Sequence, residues 1–390
     1  MPWERNLEWD AQIAASPDVV AVAGTRSDDR RSTVYLRRPG QMICDSGVWN
    51  APRDNEERAL RALLGAAGAE ETRGAPRLDR DDERADAADR LGLTLLNVPD
   101  EQQPEIFREG RRLVPDALAY NHVMIAGPQR FGGDGVPEEI GELTVGIPAT
   151  EGAGDRKVAV LDTGFLADAP FSVLPDSDIE PAAPDPNPAR GHGTMVAGVL
   201  RRFAPSASIL VRRVLKVPLG EADEMEVAKA LEAVPDDVDI VNASFGGPAA
   251  DGTRMVGLQR ALDELPEETL VVAAAGNEGL ARRHYMAAFK GVVAVGSAAV
   301  EEGQPGVCFY SNHGRWVDLS TQGSSIETVR GATAVLANGT SFAVPKIVAR
   351  ILAIADQEGI SVRHAASWLK YQSGGPAIAG GGTFVDLPAP

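Results

Sequence analysis

Three short segments carry residue types that cooperate in acyl transfer: Val-Ala-Val-Leu-Asp162-Thr-Gly, Gly-His192-Gly-Thr-Met-Val-Ala-Gly and Gly-Thr-Ser341-Phe-Ala-Val-Pro. A serine hydroxyl is a weak nucleophile at neutral pH, so attack on a carbonyl needs a base to take its proton. Imidazole does this near neutrality, and a carboxylate on its other nitrogen fixes the tautomer and stabilises the imidazolium that forms. Asp162, His192 and Ser341 are the candidate acid, base and nucleophile. The negative charge that develops on the carbonyl oxygen needs preorganised donors. Asn277, in Ala-Ala-Ala-Gly-Asn-Glu-Gly, offers a side-chain amide, and Ser341 offers its backbone N–H. Each segment met alone reads as a strand-to-turn junction, a tight turn or a helix cap; together they favour chemistry. His122, His284, His313 and His364 lack such context and are expected to be structural or exposed, and Glu278 to be a solvated rim residue.

The elements that must position these groups follow from hydrophobic patterning. From residue 155 onward, apolar runs at 157–162, 208–216, 238–244, 269–275 and 292–298 read as strands. Stretches 221–234 and 253–265 read as helices between them, giving an α/β, doubly wound, mainly parallel sheet. In such sheets chemistry gathers at the carboxyl ends of strands. Asp162 ends one strand and Asn277 follows another. His192 and Ser341 fall at expected helix starts, with Pro345 placed in the first turn of the second helix, where a missing N–H costs nothing.

Residues 1–127 read as a separate α+β unit. Its candidate strands are 19–25, 33–37, 42–44, 91–98 and 119–125, and its candidate helices are 55–65 and 105–112. Residues 68–90, rich in Arg, Asp, Glu, Ala and Gly without apolar periodicity, are expected to be a flexible insertion. Residues 128–154, rich in Gly and Pro, read as a linker to a catalytic unit at 155–390.

The chain's 390 residues exceed the usual single domain, and 44% hydrophobic with 24% charged residues exclude a mainly disordered chain. A net charge of −18 argues against nucleic acid as a partner. Residues 1–150 hold 18 Lys and Arg against 27 Asp and Glu, and the rest hold 20 against 29, so each part carries −9. Net charge therefore gives no reason for the two parts to pair. The N-terminus shows no basic start followed by an apolar run, and no stretch is apolar enough to span a membrane. The expectation is a cytoplasmic protein whose cysteines, Cys44 and Cys308, are buried free thiols.

The segments around Asp162, His192, Ser341 and Asn277 resemble the subtilase superfamily of subtilisin-like serine proteases (peptidase family S8) over most of 155–375. The resemblance implies a catalytic Asp162-His192-Ser341 triad with Asn277 at the oxyanion. It also implies that Ser244, Phe245, Gly246 and Gly247, together with Ala274 and Gly276, bind an extended substrate. The chain departs from the common family pattern after the serine, with Phe342 beside the nucleophile and Lys346 after Pro345. Calcium is common in the family, but no ligand-spaced acidic loop stands out, so no metal or other cofactor is expected to be required. Residues 91–99 and 119–123 are similar to the end of a subtilase propeptide, which implies that the N-terminal unit covers the cleft, either as a maturation segment or as a retained regulator. The resulting expectation is an intracellular serine endopeptidase acting on one dedicated protein or peptide. Two alternatives stand beside it: a non-catalytic binding or scaffold protein on this fold, and an esterase or amidase using the same triad.

Overall fold

A computed structural model describes residues 16–23, 34–72, 81–126, 137–149, 154–183, 187, 189–250, 254–371 and 374–387. Thr25, Thr33, residues 73–80 and most of the expected linker (127–136 and 150–153) lie outside the described residues.

The N-terminal unit is built from β1 (Val20–Ala23), β2 (Val34–Asp45), β3 (Glu70–Glu71), β4 (Leu93–Asn97) and β5 (Leu118–Ile125). Its helices are α1 (Ser46–Asn50), α2 (Asn55–Ala66), α3 (Asp81–Arg90) and α4 (Gln103–Leu113). The strands pair antiparallel in the order β3-β4-β2-β5, with β1 on β2. Period-two alternation gives this sheet two buried faces. Met42, Cys44, Leu96, Leu118 and Tyr120 pack under α2 and α4 with Leu60, Leu64, Ile106 and Phe107. Ile43, Leu93 and Leu95 point the other way, into a layer shared with the rest of the molecule.

Two expectations need correction here. Segments 33–37 and 42–44 are one strand: Pro39-Gly40 does not end it, because the pairing with β5 shifts register between Arg37 and Met42 and Gly40 takes φ 70°. Residues 68–90 are not a loop throughout. They hold β3 and α3, and α3 packs through Ala85, Ala87 and Ala88, small residues that leave no strong apolar periodicity in the sequence.

The larger unit starts after β6 (Glu138–Glu139), which pairs with the hairpin of β15 (Ile326–Arg330) and β16 (Thr333–Ala337). Its main sheet contains β7 (Lys157–Asp162), β8 (Ser208–Arg213), β10 (Ile240–Ala243), β11 (Leu270–Ala274), β12 (Val292–Glu301), β14 (Leu319–Thr321) and β18 (Gly382–Phe384). These run parallel in the order β18-β14-β12-β11-β10-β7-β8, with β13 (Gln304–Val307) and β17 (Ala377–Ile378) antiparallel additions. Val158 and Val160 of β7 face α5 (His192–Phe203), α8 (Thr340–Glu358) and α9 (Val362–Tyr371). Ala159 and Leu161 face α6 (Glu224–Glu232) and α7 (Val256–Asp263). The α/β, mainly parallel architecture expected from the sequence is the one observed. The strand order reverses between β7 and β10, where a crevice opens beyond their carboxyl ends.

The N-terminal sheet does not stop at the linker. Strand β9 (Glu221–Asp223), read from sequence as the start of a helix, pairs antiparallel with β5 and becomes the sheet's edge. Asp223 then caps α6 in a capping box with Glu226. Arg38 of β2, fully buried, contacts Asp223 (2.9 Å), Glu221 (3.0 Å) and Glu226 (3.1 Å), and Arg84 of α3 reaches Asp223 (2.6 Å) and Glu226 (3.0 Å). The two parts are thus paired electrostatically after all, because local charge at a buried seam matters more than the equal net charges of the units. His122, also fully buried there, accepts from Ala250 N at Nε2 and sits 3.3 Å from Glu224 through Nδ1.

Candidate active site

Asp162 closes β7, buried at the crevice floor. Its Oδ1 accepts from the Thr163 amide at 2.8 Å, and both carboxylate oxygens face His192 Nδ1 at 2.8 and 2.9 Å. His192 opens α5. Gly191 before it takes φ 67°, and a Cβ on Gly193 after it would fall 2.5 Å from the Gly164 carbonyl, so both glycines are needed to seat the ring against Asp162.

Ser341 is the second residue of α8, with Gly339 at φ 149° turning the chain into the helix. Pro345 is not in the first turn, as the sequence suggested, but inside the helix. Its missing N–H leaves the Ser341 carbonyl without its usual i+4 donor. The Ser244 hydroxyl, 3.0 Å away, donates to that carbonyl instead. In return the Ser341 hydroxyl donates to the Ser244 carbonyl at 3.0 Å. Among the described residues it makes no bond to His192, whose ring lies 5.7 Å from that of Phe342. Nucleophile–base bonds are often loose without substrate.

Asn277 follows β11. Its Oδ1 accepts from Thr340 N and Thr340 Oγ1, both at 2.9 Å, which aims its amide group away from that anchor. The crevice is lined by Ser244, Phe245, Gly246, Ala274, Gly276, Asn277, Glu278, His284, Thr340 and Ser341. The other candidate, Gly247, is tied elsewhere: its N–H and C=O both pair with Tyr285. Glu278 is not a solvated rim residue. It bonds Asn312 Nδ2 and lies 3.4 Å from His284 Nε2, and His284, expected to be structural or exposed, is buried and forms a wall of the site.

The crevice also contains the N-terminal unit. Ile125 and Gly246 exchange both backbone bonds (2.9 and 3.1 Å), and Ala126 N donates to the Gly220 carbonyl at 2.8 Å. Gly220, at φ 67°, would place a Cβ 2.6 Å from the Ala126 carbonyl oxygen, so only glycine permits this approach.

One residue near the dyad was not singled out from sequence. Glu180, buried, accepts from Thr163 Oγ1 (2.7 Å) and from Gly191 N (2.9 and 3.0 Å), while Thr163 Oγ1 accepts from Gly193 N at 3.1 Å. Burial pushes the Glu180 carboxyl up, against those bonds, and Asp162 adds to the rise. It lies in Asp-Ile-Glu180-Pro, twelve positions before His192, with no motif to mark it.

The subtilase family model matches residues 154–370, more than half of the chain. The chain belongs to the subtilase family. This subtilase is 30% identical to M-protease of Shouchella clausii over 217 residues, covering 53% of the chain and 55% of that protein. It is 30% identical to thermitase of Thermoactinomyces vulgaris over 252 residues, covering 60% and 85%. The match thus spans just over half the length of M-protease. Among solved structures, an S41 psychrophilic protease shares the fold at a TM-score of 0.50 and 22% identity, covering 61% of the chain and 93% of that structure. No helix among the described residues is long and apolar enough to cross a membrane, and no three of their His, Cys, Asp or Glu side chains are grouped to hold a metal ion.

Proposed function

We propose that this subtilase is a serine endopeptidase that works through an acyl-enzyme. The observation that carries the reading is the Asp162–His192 pair facing the helix start that bears Ser341, with the Asn277 amide beside it. Rotation of Ser341 χ1 takes the hydroxyl from the Ser244 carbonyl to His192 Nε2. The oxygen attacks the substrate carbonyl while its proton passes to Nε2, and Asp162 stabilises the imidazolium. Asn277 Nδ2 and the Ser341 N–H, at the positive end of α8, receive the oxyanion. His192 returns the proton to the departing amine, and water then repeats the sequence on the ester, releasing the acid and restoring Ser341. No metal enters any of these steps.

The N-terminal unit is the cover of this site in the same proposal. Ile125 lies on Gly246 in an antiparallel bridge, the pairing through which an extended peptide substrate would bind. A covered cleft favours a dedicated protein or peptide substrate, and the free thiols Cys44 and Cys308 favour an intracellular, reducing setting. The Ser341–Ser244 hydrogen bond favours the alternative of a non-catalytic scaffold. Intact mass and fluorophosphonate labelling of wild type and Ser341→Ala decide between them. Labelling of wild type alone, with cleavage between the two units, is the expected result; an unlabelled, intact wild type would leave the scaffold.

A further inference from the structure

We infer that His284 and Glu278 plug the pocket for the residue before the scissile bond, so that this protease cuts after Gly, Ala or Ser and excludes large side chains. The inference rests on the endopeptidase reading and specifies its substrate class. On the endopeptidase reading, the residue before the cut places its side chain between Ser244–Gly246 and Ala274–Gly276, which line the same crevice as Ser341 and Asn277. Both walls present glycine there, which would ordinarily open a deep slot. The space behind them is filled instead.

A Cβ on Gly246 would lie 2.5 Å from His284 Nδ1, and a Cβ on Gly276 would lie 2.9 Å from His284 Cδ2 and 3.0 Å from Glu278 Oε2. One imidazole therefore abuts both walls. It is 5% exposed and is held in place: Nε2 faces Glu278, whose other oxygen receives Asn312 Nδ2. Asn312 is fixed in turn, its Nδ2 donating to the Ala275 carbonyl (2.9 Å) and its Oδ1 accepting from the Glu278 and Leu280 amides (3.2 and 3.0 Å). The neighbouring Tyr285 is pinned by its backbone pairing with Gly247. Moving His284 aside gives up its 3.4 Å approach to Glu278. The cavity that remains beside Ile125 and Ala126 leaves about 30 Å³ for the centres of water-sized groups, room for roughly two waters. A methyl or hydroxymethyl group fits such a space; an isobutyl or benzyl group does not. The chain's own occupant continues in sequence as Ala126-Gly127, also small.

The test uses the full chain and a set of fluorogenic tetrapeptides that differ only in the residue before the cut: Gly, Ala, Ser, Leu, Phe and Lys. Wild type is expected to turn over the Ala peptide with kcat/KM at least about tenfold above the Leu and Phe peptides, the scale on which pocket volume discriminates. In His284→Gly the Leu-to-Ala ratio should rise by about tenfold or more. A wild-type preference for Leu, Phe or Lys would overturn the inference, and so would an unchanged ratio in a folded His284→Gly. If that variant fails to fold, the wild-type profile decides alone. Should wild type, once cleaved between its two units, turn over none of the peptides, the inference falls; loss of fluorophosphonate labelling at Ser341 would remove the endopeptidase reading as well, whereas retained labelling would leave that reading standing.

Discussion

Asn277 has two jobs that substitution can separate. Its oxygen anchors Thr340 at the start of α8, and its amide faces the crevice. Asn277→Asp keeps the acceptor and removes the donor, so kcat should fall about 10²- to 10³-fold with little change in melting temperature, the cost of losing one oxyanion donor. Glu180 acts one step further away, through Thr163 and the amide before His192. Glu180→Gln puts an amide where two donors expect an acceptor, at a cost of about 1–3 kcal/mol per unpaired group. We expect kcat to drop by about tenfold or more with KM nearly unchanged, because the His192 loop, not the substrate cleft, is disturbed. Recovery of activity in Glu180→Asp would support a positioning role; equal losses in kcat and KM would count against it. The placement of Asp162, His192 and Ser341 was legible because local sequence encodes it: glycines flank the histidine, and a strand ends on the aspartate. Glu180, His284 and Asn312 were not, since what makes them matter is burial against distant segments, which no spacing in the chain reports.

Helix α8 carries two departures from a plain helix, and each has a partner elsewhere. Pro345 frees the Ser341 carbonyl, and Ser244 satisfies it. Ser244→Ala should therefore cost about 1 kcal/mol in unfolding free energy. Lys346, 2% exposed, has its amine 3.3 Å from the Gln322 carbonyl and 5.2 Å from the centre of the Phe203 ring. Burial pulls its pKa down from 10.5 to about 8, with Asp386 opposing and Arg202 assisting. The unfolded chain binds this proton more tightly than the folded one, so the penalty is present in full below pH 8 and is relieved as pH rises toward 10.5. Lys346→Met should be more stable than wild type at pH 7, by roughly 1–3 kcal/mol, with the advantage shrinking by pH 10 in denaturant titrations. At this scale the five central parallel strands and the long helices were readable from runs of Val, Ile and Ala, whereas the short strands β14 and β18 were not. Helix α3 was missed because it packs with alanines and a buried arginine, and β9 was missed because its strand character comes from β5, a partner some hundred residues earlier.

For the molecule as a whole, the seam between the units is held by charge as well as by apolar packing. Burial alone would raise the Asp223 carboxyl, but Arg84 and Arg38 hold it well below the usual carboxylate range. Its contribution is thus present in full above that range and is lost only as pH falls beneath it. Thermal unfolding of the full chain should show this part of its stability intact at pH 5 and eroded near pH 2. Arg38→Ala leaves buried carboxylates short of a partner, a change that typically costs about 3–5 kcal/mol. The N-terminal unit should loosen first, seen as faster hydrogen exchange in β2 and β5 and, on the proposed reading, higher peptidase activity of the uncut chain. An exchange pattern like that of wild type would show that apolar packing alone holds the seam.

Ile125 and Ala126 reach Gly246 and Gly220 while covalently joined to the rest of the chain, so their hold on the crevice is an intramolecular equilibrium. Tethered groups meet at effective concentrations in the millimolar range, whatever the protein's own concentration. On the proposed reading, dilution does not free the crevice, and a competing peptide must exceed that local concentration. Severing the backbone changes the arithmetic: the occupant becomes a dissociable ligand, and the lifetime of the covered state passes from chain connectivity to an off-rate.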